Sequence, residues 1–171
     1  MKTFRQYISE EIAQKVGGHH WLPPKHTDEH DEVHHQATAL KDDPHTPNHV
    51  KKQLAHLADK KNYVSAMKSA TSTNIHHTDK DLHKIGNTDA ADKRGISGNP
   101  DIEKAKRNRV SSQFKDSKKN GTPMSKPIIM HDTHTNHKHL LAGNTRLSHG
   151  VQDAKAQVPV HTIKYNSSEQ K

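Results

Sequence analysis

The chain contains no cysteine. That absence excludes disulfides, cysteine–zinc sites and thiol catalysis together, and it is compatible with a reducing cytoplasm. Large apolar side chains are almost as scarce: two phenylalanines, one tryptophan and three tyrosines in 171 residues, with Leu, Ile, Val and Phe together at about 16% of the chain. Hydrophobic content is 28% and mean hydropathy is -1.13, so the core must be small. No apolar run is long enough to cross a membrane, and no membrane partner is expected. Acidic residues are the minority, 19 against 27 Lys and Arg, which leaves a net charge of +8 and a pI near 9.6. There is no Ser-His-Asp order, P-loop or dinucleotide fingerprint, and Gly121 and Gly143 stand as isolated glycines, so no catalytic residue is assigned.

The positive excess is spread along the chain. Its clearest concentration is Lys104, Lys106, Arg107 and Arg109, followed by Lys115, Lys118 and Lys119 on the same predicted helix, with Asn99 as cap and Pro100 as first residue. Such a helix can neutralise several phosphates without reading sequence. It also reads as a solvated face, because no aromatics are interleaved to stack on single strands.

Upstream, the pattern is helical and thinly apolar. Gly17 to Lys25 reads as a linker with Pro23-Pro24. Thr27 or Asp28 can cap a helix to about Leu40, and Pro47 opens another through Val50, Leu54 and Leu57. A third helical stretch runs from Tyr63 to Ala70 before a Thr-Ser-Thr-Asn break. A short one starts at Thr78 and ends at Gly86 with Leu82 and Ile85 inward. There is no internal repeat.

Eighteen histidines raise the question of a metal. His30 and His34 stand four apart beside Glu29 and Asp31, but HTDEHDEVHH lacks His-Glu-x-x-His. His131, Asp132, His134, His137 and His139 crowd a predicted hairpin and could in principle hold a hydrolytic ion. Dispersed histidines equally decorate a polar surface, and no metal ligand is assigned.

The last third reads as a complete β-rich unit. Pro127 leads the apolar strand Ile128-Ile129-Met130, HDTHTNH turns, and Leu140-Leu141-Ala142 returns. Gly143 ends that strand, Asn144 or Thr145 can cap a helix through Leu147 and Val151, and Val158-Pro159-Val160 with Ile163 forms a further strand, its proline suggesting an edge or a strand start. Backbone donors at Gly143, Asn144 and Thr145 and the Arg146 guanidinium would then face one space, as a phosphate site requires. The same turn also serves as a plain strand-to-helix connection with nothing bound.

At these residues, over about Asn99 to Tyr165, the chain resembles the ParB/sulfiredoxin-like domain: a proline-led strand, a hairpin, a Gly-x-x-Arg helix start and a V-P-V strand. The resemblance implies nucleotide or nucleic-acid binding and, in some members, nuclease activity. Thr145 stands where chromosome-partitioning members carry a second arginine, no Asn-x-x-Arg box follows, and the chain ends at Lys171 without a helix-turn-helix, so a partitioning clamp is not expected. Sulfiredoxin chemistry needs a cysteine that the chain lacks.

The start, MKTFRQYISE, places Phe4, Tyr7, Ile8, Ile12 and Val16 at helical spacing, which predicts an amphipathic helix from Lys2 to Val16 ending at Gly17-Gly18. The helix can pack on the body as an ordinary N-terminal element. The decapeptide also resembles the capsid-targeting leader of internal head proteins in T-even-like tailed phages, whose Ile-x-Glu site is cut by the prohead protease. Here that site is Ile8-Ser9-Glu10, so the resemblance implies a mature chain beginning at Glu11.

Together these readings predict an α+β protein: a leader at 1–10, a linker at 11–27, a sparse helical segment at 28–98, a ParB-like domain at 99–165 and a tail at 166–171. The expected function is that of a phage head protein binding nucleic acid or a nucleotide phosphate, with nuclease activity left open. The alternative is a non-enzymatic basic head protein packed against the genome. A nucleotide or a divalent metal remains an open cofactor. Expected partners are DNA or a nucleotide and, through the leader, the prohead and its protease. The expected location is the capsid interior, or the host cytoplasm after synthesis or injection.

Overall fold

A computed structural model of the chain describes residues 13–24, 26–87 and 100–171, without the side chains of 26–28 and 87. The expected leader with Ile8 and Glu10 lies outside the described residues, as does Asn99. In chain order the elements are β1 (Gln14–Val16), β2 (His19–Leu22), α1 (His26–Leu40), α2 (Asn48–Ala58), α3 (Lys60–Ser69), β3 (Thr71–Ile75), a 3-10 turn (Leu82–Lys84) and β4 (Gly86–Asn87). There follow α4 (Pro100–Asn120), β5 (Met124–Ser125), β6 (Ile128–Asp132), β7 (Lys138–Ala142), α5 (Asn144–Ser148) running into a π turn (His149–Asp153), and β8 (Val158–Tyr165). The class is α+β.

Five strands form the central sheet in the order β3-β8-β6-β7-β4. The β6–β7 hairpin is antiparallel and β8 returns parallel to β6, from Ile128↔His161 to Asp132↔Tyr165. Successive residues of β6 point to opposite faces, and both faces are covered, which is why Ile128-Ile129-Met130 is continuously apolar. On one face Ile128, Met130, Leu141 and Ile163 pack with Val33, Leu54, Leu57 and Tyr63 of α1, α2 and α3. On the other, Ile129, Leu140, Val158 and Val160 pack with Val110 and Phe114 of α4, Leu147 of α5 and Trp21. A chain this poor in apolar residues closes a core by placing most of them on or against one sheet. Asp59 joins α2 to α3 and caps the second, its carboxylate accepting from the Lys61 N–H at 2.8 Å.

Several sequence expectations are corrected. Residues 14–16 are a strand and not the end of a helix: Gly17 (φ +60°) and Gly18 (φ +81°) turn the chain so that Val16 faces His19. That pairing lets the fully buried Trp21 donate its indole N–H to the Val16 carbonyl at 3.2 Å. The linker from Gly17 therefore contains β2, whose Leu22 and Trp21 pair with β5 to complete a small three-stranded sheet. The Thr-Ser-Thr-Asn break is β3, an edge strand antiparallel to β8 with Ile75 its one buried residue. Its exposed hydroxyl residues hide the apolar alternation by which strands are read, while the β-branched Thr71, Thr73 and Ile75 suit the sheet. The helix expected from Thr78 is a series of turns around Asp79, which accepts from the His76 N–H at 2.8 Å, ending in the 3-10 turn. The strand start suggested by Pro159 is observed: it is the second residue of β8, ahead of the β6 register, which begins at His161, although β8 itself is flanked on both sides.

Candidate functional site

The turn from β7 into α5 is built on Gly143. It occupies the N-cap position in the left-handed region (φ +85°), where Asn144 or Thr145 had been expected to cap. Its carbonyl accepts the first helical hydrogen bond from the Leu147 N–H at 2.8 Å. A Cβ there would lie 3.0 Å from Pro127 Cα, so glycine is required by conformation and by the close approach of the segment leading into β6. That approach carries Arg146 across to β5, where Nη1 donates to the Ser125 carbonyl at 2.9 Å. Arg146 Nε is buried without a hydrogen-bond partner.

Around this guanidinium the fold gathers charge from segments far apart in sequence. A cleft of about 470 Å³ is lined by Gly143, Asn144, Thr145 and Arg146, by Lys106 and Arg109 of α4, and by Glu29 and Glu32 of α1. The two glutamates stand one helical turn apart and so share a face. Burial lowers the Arg146 pKa, Glu29 opposes that effect, Arg109 adds to it, and Glu32 opposes it again. The guanidinium stays charged throughout. Lys126 also lines the cleft, but its ammonium is engaged elsewhere, donating to Gln14 Oε1 at 2.9 Å and Ser72 Oγ at 3.1 Å.

All four residues of the expected turn therefore share one wall, and Lys106 and Arg109 join them. Lys104 and Arg107 do not line the cleft and are exposed. Glu29 and Glu32 were missed as site residues. They sit in an acid-rich helix more than a hundred residues from the turn, and no motif marks them.

Several histidines of the two clusters, and His49, have structural partners. His30 Nε2 bonds the Ala58 carbonyl at 3.1 Å and its ring packs on Tyr63. His131 bonds Asn136 Oδ1 at 2.8 Å. Asp132 is fully buried: burial pushes its carboxyl up, but the Ser167 and Thr135 hydroxyls and the Ser167 and His134 N–H groups outweigh this and hold it well below the usual range. His49 Nδ1 lies 2.9 Å from the Tyr165 hydroxyl and 3.5 Å from Asp132 Oδ2, tying α2 to the ends of β6 and β8. Among the described residues no group of three His, Asp or Glu is placed to hold a metal ion.

The chain matches no family model, no curated protein and no solved structure.

Proposed function

We propose that the chain is a ParB/sulfiredoxin-like protein that binds the phosphate of a nucleic acid or nucleotide in the cleft between α1, α4 and the Gly143–Arg146 turn, and that its leader directs it into a phage head. The observation that carries the reading is convergence. Arg146, Arg109 and Lys106 come from two separate elements and line one open cleft, and the Arg146 Nε–H is a buried donor without a protein acceptor. A phosphate oxygen would satisfy that donor, and guanidinium–phosphate pairs are among the stronger hydrogen bonds available to a protein. The five-residue α5 adds little dipole of its own, so the affinity rests on the side-chain cations.

Melting shifts test the reading. A phosphate-bearing ligand should raise the Tm of wild type and leave Arg146→Ala unmoved, since a charge-assisted hydrogen bond is worth about 1.5–3 kcal/mol. Equal shifts in both proteins, or none in either across nucleotides and short oligonucleotides, would leave the turn a simple connection.

Glu29 and Glu32 favour a second, enzymatic reading. Two carboxylates across a cleft from three cations could hold a divalent cation between themselves and a bound phosphodiester, or activate a water for hydrolysis. If the protein is a nuclease, Glu29→Gln and Glu32→Gln should each abolish metal-dependent cleavage while nucleic-acid binding persists or tightens. Cleavage by both variants at the wild-type rate would remove the carboxylates from the chemistry. A chain that binds and never cleaves is the non-enzymatic basic head protein.

A further inference from the structure

The basic residues of α4 divide into two flanks. Val110, Phe114 and Ser117 are its buried residues and mark the side that meets the core. At about 100° per residue, Lys106 and Arg109 fall to one side of that line, toward α1, and both line the cleft. Lys104, Arg107, Lys115 and Lys118 fall to the other side and Lys119 to the crest opposite the buried line, and all five are exposed. Lys118 lies on the side of β2, close enough to His19 to act on it electrostatically. Among the acids of the helix, Asp116 acts electrostatically on Lys119 of this outer flank. Glu103 faces Lys106 at 3.8 Å, Asp116 accepts from Asn120 within its own turn, and Asp101 stands in the first turn. Among the described residues none of the five cations has a carboxylate within ion-pair distance.

From Lys104 to Lys119 the flank extends about 22 Å at 1.5 Å per residue, the length of about six steps of a duplex strand at 3.4 Å each. It is a stretch of exposed positive charge, and the helix's one aromatic, Phe114, is buried and offers no base a stacking face. Those features suit a duplex backbone, not a single strand. Lys104, Arg107, Lys115 and Lys118 are turned by about 100–180° from Lys106 and Arg109 at about 100° per residue, so a backbone lying along them faces away from the cleft.

We infer that α4 presents two separate phosphate-binding surfaces, so that one chain holds two nucleic-acid segments at once, one at the cleft and a duplex along the outer flank. The inference rests on the cleft taking phosphate, as proposed above. A protein of this kind draws neighbouring segments together, and the effect weakens steeply with salt.

Bridging is measured by the capture of a fluorescent duplex on beads that carry a different duplex, with binding to each duplex alone measured in parallel. Two variants of the full chain separate the surfaces: Lys106→Ala with Arg109→Ala for the cleft, and Gln at 104, 107, 115, 118 and 119 for the outer flank. All these positions are exposed, so both variants should fold. Wild type should bridge, each variant should bind a single duplex yet lose capture at least tenfold, and mixing the variants should not restore it. The inference is overturned if the outer-flank variant bridges like wild type. It is overturned equally if that variant binds no duplex at all, which would mean one surface, or if the mixture bridges, which would place the second surface on another chain. A wild type that binds one duplex and captures no second sinks the inference and leaves the cleft reading standing. A wild type that binds none sinks both.

Discussion

Gly143 shows how much one residue can decide. Its φ of +85° and the 3.0 Å approach of Pro127 mean that Gly143→Ala should cost about 1–3 kcal/mol, and because Arg146 is aimed by this turn, phosphate binding should fall with it. Denaturant melts with and without ligand measure both. Gly150 is constrained by packing instead: a Cβ would lie 2.4 Å from Val158 Cγ2. Gly150→Ala should destabilise by about 1–3 kcal/mol, and adding Val158→Ala should recover part of the loss of the alanine insertion, which a backbone effect would not allow. His139 sets a pH dependence. Burial drives its pKa down to about 4, with His137 and His49 pushing the same way. The unfolded chain, near the ordinary value of about 6.5, therefore takes up the proton first as pH falls. The stability this group leaves intact above about pH 6.5 is lost on the way down to pH 4, by about 3 kcal/mol at 1.36 kcal/mol per unit. Asp132, held low, loses its contribution only below the ordinary carboxylate range, so the window belongs to histidine. His139→Gln should flatten the slope of stability between pH 4 and 6.5, and an unchanged slope would remove His139 as its source.

At the scale of elements, α4 has two duties. Its inner face anchors it through Phe114, which packs edge-on to His19, Trp21 and His149 at centroid distances of 4.9, 5.7 and 4.8 Å. Phe114→Ala should cost about 3–5 kcal/mol, and since the same helix carries Lys106 and Arg109 into the cleft, ligand affinity should fall more than it does for an equally destabilising change on the opposite face of the sheet, such as Leu54→Ala. Matched losses of affinity would mean that α4 does not position the cleft cations. Much of this helix was readable in advance, because Pro100 starts it and its charges and sparse apolar residues fit a 3.6 period. β1, β2 and β3 were not. Three to five residues are too few for a period, and what makes them strands is the partner each finds, β3 on β8 and β2 on β5.

On the scale of the whole molecule, helices from the first half cover one face of a sheet whose central hairpin lies in the second. Ile128, Met130, Leu141 and Ile163 meet α1, α2 and α3, so residues 100–171 expressed alone should expose that face and lose β3 from the edge of β8. We expect such a fragment to show no cooperative unfolding transition and to bind a hydrophobic dye, whereas a cooperative melt would mean that the C-terminal unit holds its own core. A second expectation concerns maturation: if the leader is processed, protein from purified heads should begin at Glu11 and Glu10→Ala should block the cut. Recovery of intact Met1 from those heads would argue for an ordinary N-terminus.

The sequence by itself determined the α+β class, the β6-β7-α5-β8 order and the Gly-x-x-Arg turn. Those signals are local: a proline before an apolar run, a polar hairpin, a glycine at the point where the chain must turn left-handed. It also determined that any phosphate ligand would meet a net positive chain. Only the tertiary structure decided which charges share a space. Lys106 and Arg109 face the turn while Lys104 and Arg107 do not, a division set by the buried side of Phe114, and Glu29 and Glu32 arrive from α1 because Val33 packs against the sheet beside them. Periodicity along one element states which residues lie together on a face. Which other element that face meets depends on long-range burial, and no local pattern records it.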